Sequence, residues 1–134
     1  MPVAFNHTIV HAHDADESAK FFSEMFGLDP PFAFGHFKAV AVAHGATFDF
    51  VTNSDEFPAQ HYAFLVTEAE FDAIYARIVE RKLEHWADPG RNQASQINRH
   101  DGGRGVYWCD PGGHFLEAIT VPYGGWPEGR PSAI

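Results

Sequence analysis

Two stretches of the chain share one pattern of apolar and polar positions. Residues 7 to 28, HTIVHAHDADESAKFFSEMFGL, read as a short β-branched strand followed by an amphipathic helix. Ala15, Ala19, Phe22 and Phe26 fall on one helical face. Asp14 or Asp16 is placed to cap its start, and Gly27 sits where the cap beyond the helix needs a positive φ. Residues 61 to 83, HYAFLVTEAEFDAIYARIVERKL, follow the same plan. Thr67 and Glu70 form a T-x-x-E capping box ahead of Phe71, Ile74, Tyr75, Ile78 and Val79. Each strand opens on a histidine, His7 and His61.

The second half of each stretch matches as well. HGATFDFVT (44–52) parallels GGHFLEAIT (112–120), each a turn feeding a strand. Four residues beyond Gly45 stands Asp49, and four beyond Gly113 stands Glu117. Further strands are expected at 36–43 and 104–109, with shorter ones near 31–34 and 84–87. The pattern is βαβββ written twice, an α+β fold in one domain over 1–121. Module one covers about 5–52 and module two about 61–121, with a linker near 53–60. Residues 88–103 are polar and glycine-rich and read as loop. Residues 122–134 form a tail whose prolines and glycines depart from the repeat; it either trails free or folds back over the sheets, where Tyr123 and Trp126 would be covering aromatics.

Composition narrows the partners. Nearly half the residues, 45%, are apolar, enough for an ordinary core in 134 residues. The formal net charge of −9, with only 9 Lys and Arg, lacks the basic footprint that nucleic acid requires. No run of about 18 apolar residues suggests a membrane span. MPVAFNHTIV lacks the basic-then-apolar layout of a signal peptide. Cys109 is alone, which suits a reducing cytoplasm.

Candidate chemistry sits on the strands. His7, His11 and His13 alternate onto one face, but His11, four residues on, would lie about 13 Å from His7, too far to share a metal with it. Glu117, between Leu116 and Ala118, carries a burial cost that a metal or hydrogen bonds must offset. Tyr107 and Cys109 share one strand face. Tyr107 reads either as a site residue or as packing, and Cys109 as a small buried residue. His114 alternates away from Glu117 and reads as surface. Arg104 reads as solvated, or as a partner for an anionic substrate group.

These residues together resemble the vicinal oxygen chelate superfamily of glyoxalases, extradiol dioxygenases, and fosfomycin- and bleomycin-resistance proteins. The carriers are HTIVHAHDADESAKFFSEMFGL, HYAFLVTEAEFDAIYARI and DPGGHFLEAIT, the last similar to the family's D-P-x-G-x-x-x-E ending. The resemblance implies two βαβββ modules whose mixed sheet curls around a cleft. It implies His7, His61 and Glu117 as ligands of a divalent metal (Fe, Mn, Zn or Ni), with Asp49 as a fourth ligand where it reaches. It also implies catalytic roles for Glu117 and for Tyr107, whose hydroxyl would meet a bound oxyanion, and a homodimer that completes the site. The implied function is a metal-dependent enzyme acting on a small oxygen-chelating substrate, with a glyoxalase-like lyase or isomerase favoured. An extradiol-type dioxygenase and a non-catalytic ligand-sequestering dimer are the alternatives.

Overall fold

Asp14 starts the first helix: its side chain accepts the Glu17 N–H, and Gly27 ends the helix in the left-handed region at φ 66°. The fold is described from a computed structural model, which covers residues 3–125. Within them the chain forms two compact units, 3–59 with Asp110–Gly113, and Gln60–Cys109 with 114–125.

The first unit contains β1 (His7–Ala12), α1 (Ala15–Phe26), β2 (Phe32–Phe34), β3 (Phe37–Ala41) and β4 (Thr47–Thr52). Its sheet runs in the order β1-β4-β3-β2, with β1 parallel to β4 and the other pairs antiparallel. Strand alternation sends Val10, Val40, Phe48 and Phe50 into the core. There Phe22 of α1 stacks on Phe48 at 5.0 Å and lies 5.6 Å from Phe50. The opposite face carries His7, Ile9, Thr47 and Asp49, registered His7 to Thr47 and Ile9 to Asp49. Ile9, Phe32 and Phe34 stand exposed.

The second unit repeats the plan with β5 (His61–Leu65), α2 (Glu68–Glu80), β6 (His85–Trp86), β7 (Gly105–Cys109) and β8 (Phe115–Ile119). Sheet order is β5-β8-β7-β6, again with the outer β5 parallel to its neighbour. The capping box is formed in full, Thr67 and Glu70 each satisfying the other's backbone N–H. Phe71, Ile74 and Ile78 make the buried stripe of α2, together with Leu116, Ala118, Val106 and Trp108 in the core. Val79, expected on that stripe, is exposed, because i, i+3, i+7 spacing already fills the contact.

One further expectation is corrected. His114 is 1% exposed rather than at the surface, and its Nδ1 accepts the Gln60 N–H at 2.9 Å. It precedes β8, so strand parity does not govern it. His85 is likewise buried, donating from Nδ1 to the Leu83 carbonyl at 3.0 Å. The 88–103 segment lacks long elements but is pinned. Asp88 accepts the N–H groups of Asn92 and Gln93, and Asn98 exchanges backbone hydrogen bonds with Gly105. A Cβ at Gly105 would lie 2.8 Å from Asn98 Nδ2, so a larger residue there would push the Asn98 side chain aside. Among the described residues no helix is long and apolar enough to cross a membrane.

Candidate metal centre

In the second unit the β5–β8 and β7–β8 ladders fix which side chains meet. Glu117 is registered with Ala63 on one side and Tyr107 on the other, and His61 with Phe115, so His61, Tyr107, Phe115 and Glu117 share a face. Glu117 is fully buried. Its Oε1 lies 3.0 Å from His61 Nε2. His61 Nδ1 faces the Phe115 carbonyl oxygen at 3.1 Å.

That geometry carries an electrostatic requirement. A carbonyl only accepts, so Nδ1 holds a hydrogen, which leaves Nε2, as a lone pair or as a second N–H, to meet the carboxylate. A lone pair and a carboxylate oxygen at 3.0 Å repel unless a positive centre joins them, either a second ring proton or a metal ion. Two donors each about 2.1 Å from one metal and at right angles to it lie about 3 Å apart. The pair therefore fits two adjacent ligand positions, and the Phe115 carbonyl is the kind of outer partner that fixes a ligating imidazole.

The other carboxylate oxygen, Oε2, accepts the hydroxyl of Tyr123. Tyr123 and Tyr107 hydroxyls are 2.8 Å apart. Burial, with the negative charge of Glu117, pushes the Tyr107 phenol up to about 12. Tyr123 is raised by the same two causes. Both hydroxyls thus keep their hydrogens at neutral pH and act as donors. The surrounding surface is flat and apolar: Tyr107 stacks on Phe115 at 5.3 Å and lies 6.0 Å from His61. The Arg91 guanidinium rests over Phe115 and Trp86 at 4.9 and 5.3 Å.

In the first unit His7 and Asp49 line a concavity of about 330 Å³ together with Asn6, Phe32, Phe34 and Thr47. His7 Nδ1 donates to Asn6 Oδ1 at 2.7 Å, leaving Nε2 as the acceptor. Asp49 is 7% exposed and accepts the Thr47 hydroxyl at 2.8 Å on Oδ1. Among the described residues no group of three or more His, Cys, Asp or Glu is gathered as a metal site. The structure brings together His61 with Glu117, and His7 with Asp49.

Arg104 is committed elsewhere. It binds Glu68 and Asp72 of α2, each at 2.8 Å, and lies 4.5 Å from the Phe71 ring centroid, so its reading as an anionic-substrate partner falls. Nor is it a solvated arginine. His11 meets Asn53 Nδ2 at 3.3 Å and lies near the Phe57 ring. Trp126 lies outside the described residues. The Tyr123 contact with Glu117 was not legible beforehand, because a single tyrosine among prolines and glycines offers no periodicity to read.

The fold and these residues define a class. The family model described as the Glyoxalase/Bleomycin resistance protein/Dioxygenase superfamily matches residues 4–118. The chain belongs to that superfamily. Among solved structures it is similar to one named Oxidase ChaP-H1, with 54% identity, 92% of this chain and 100% of that one covered, and a TM-score of 0.90. Oxidase ChaP-H2 shares 46% identity over 92% and 98% of the two chains, also at a TM-score of 0.90. A lactoylglutathione lyase from Agrobacterium tumefaciens, at 19% identity over 88% and 93% of the chains and a TM-score of 0.66, shares the fold. Among curated proteins, a metallothiol transferase FosB of Shouchella clausii is 28% identical over 86% of this chain and 78% of its own length.

Proposed function

We propose that the chain is a divalent-metal-dependent oxidase acting on a small molecule that presents neighbouring oxygens. The observation that carries this is the buried Glu117 carboxylate facing an Nδ1-committed His61 at 3.0 Å, in a chain 54% identical to a protein named an oxidase. His61 and Glu117 would hold the metal, with His7 as the third ligand. A divalent ion so held, with open positions, would polarise substrate oxygens and stabilise charge developing on them, and iron or manganese suits oxidation best within the set Fe, Mn, Zn and Ni.

The chain's own groups do the rest. Tyr107, its phenol raised to about 12, keeps a hydrogen to donate to a substrate oxyanion. Phe115 and Trp86 pave the face beside it with apolar surface. Asp49, buried beside His7, is placed to take a proton from a substrate held in that concavity. The first unit's exposed Ile9, Phe32 and Phe34 surround His7 with apolar surface, which a second copy would cover; a homodimer that supplies His7 across its interface follows. The single, half-buried Cys109 suits a reducing compartment, the cytoplasm. A lyase or isomerase reading leans on a neighbour at 19% identity, a likeness of fold alone.

The test is elemental analysis of protein purified without a histidine tag, beside His61→Ala and Glu117→Ala. About one metal per chain, lost in both variants, is expected. No metal in any preparation, and no uptake of Mn, Fe(II), Ni or Zn, would overturn the reading. Oxygen consumption with catechols and other vicinal diols then tests the reaction.

A further inference from the structure

Beyond β8 the chain leaves the repeat, yet it returns a side chain to the buried carboxylate. A short turn, Tyr123–Gly125, is closed by the Gly125 N–H to the Pro122 carbonyl at 2.8 Å. Gly124 and Gly125 both hold left-handed conformations, at φ 68° and 71°, that glycine adopts without strain. The Gly124 N–H donates to Asp101 Oδ2 at 3.0 Å, which ties this turn to the turn His100–Gly102. So anchored, the turn delivers the Tyr123 hydroxyl to Glu117 Oε2, while Oε1 alone faces His61 Nε2. The two oxygens of one carboxylate have different partners.

We propose that Tyr123 is the positioning residue of Glu117: its hydroxyl occupies Oε2, so that Oε1 alone is presented to the metal, and Asp101 holds the turn that places it. This rests on the reading of Glu117 as a ligand. A carboxylate with both oxygens open can bind a cation through both and fill two of its positions. A hydrogen bond to one oxygen keeps the other as a single donor and leaves a position for substrate, which is the work of outer-shell partners in metal sites. Tyr123 touches no reacting atom in this role.

The experiment titrates metal-free protein with Co²⁺, following visible absorption, in the wild type, Tyr123→Phe, Asp101→Gly and Glu117→Ala. Glycine accepts the left-handed φ of 55° at position 101 and removes only the anchor. Tyr123→Phe is expected to weaken Co²⁺ binding about tenfold. It is also expected to lower the absorption intensity, since the freed Oε2 joins the metal and raises its coordination number. Asp101→Gly should move both readings the same way, and adding it to Tyr123→Phe should change little. Thermal melts confirm that each variant is folded. Wild-type affinity and spectrum in Tyr123→Phe, with Co²⁺ lost in Glu117→Ala, would overturn this inference and leave Glu117 a ligand. A wild type that takes up no Co²⁺, or Glu117→Ala binding it as well as the wild type, would overturn both.

Discussion

His61 donates its Nδ1 hydrogen to the Phe115 carbonyl and turns Nε2 toward Glu117 Oε1, 3.0 Å away. Without a metal ion or a second ring proton this is two acceptors in contact, with Glu117 fully buried.

The first prediction follows from supplying a donor where the cation belongs. In Glu117→Gln the amide can donate to Nε2 and no cation is needed. The metal-free variant should therefore melt higher than metal-free wild type, by about 1 kcal/mol of stability at neutral pH. Its metal affinity should fall by more than the roughly 10–100-fold typical of losing an outer partner. Calorimetric melts with and without metal read both, and a lower melt with affinity intact would refute the lone-pair argument.

Alkaline titration gives the second. Burial and the Glu117 charge raise Tyr107 from the ordinary 10.0 to about 12, and raise Tyr123 also. A group raised on folding contributes stability that is complete below its unfolded value and lost as pH climbs through the folded one. The window is about pH 10 to 12. Metal-free protein should show a late phase of phenolate absorbance near the top of that window, coincident with loss of stability. Tyr107→Phe should remove part of the phase and flatten the loss. An unchanged curve in the variant would count against the assignment.

The helices and the strand faces were legible in the sequence because their signals are local. Gly27, the Thr67–Glu70 box and the Phe71–Ile74–Ile78 spacing each act within one or two turns. Alternation put Tyr107 and Cys109 on one strand face, and the β7–β8 register sets them opposite Glu117 and Phe115. It failed at His114, which lies before the strand and is buried by a backbone contact 54 residues away. It said nothing of Arg104, whose partners Glu68 and Asp72 stand one helical turn apart on α2. Tyr123 was legible only as a covering aromatic: its contact with Glu117, six residues back, depends on an irregular turn anchored by the distant Asp101.

Stability should separate cap from core. Thr67→Ala removes the hydroxyl that accepts the Glu70 N–H and should cost about 1 kcal/mol. Phe22→Ala empties a ring that stacks on Phe48 and touches Phe50, and should cost about 3–5 kcal/mol. Urea melts at neutral pH check the ratio. Equal losses would mean that the first unit's core rearranges to fill the space.

Asp49 gives the last prediction, because its two possible duties leave different traces. Its Oδ1 is already engaged by the Thr47 hydroxyl, and its side chain is one methylene shorter than that of Glu117, which limits its reach toward a metal. It remains beside His7 in an apolar-walled concavity, where a carboxylate can accept a proton from a bound substrate. Asp49→Asn keeps the size and the acceptor for Thr47 but cannot take that proton. It should retain wild-type metal content while turnover falls about 10²–10⁴-fold with little change in KM. Metal lost in parallel with activity would instead make Asp49 a fourth ligand. The proton would then have to leave by another route, and the tyrosine pair on Glu117 would be the first place to look for it.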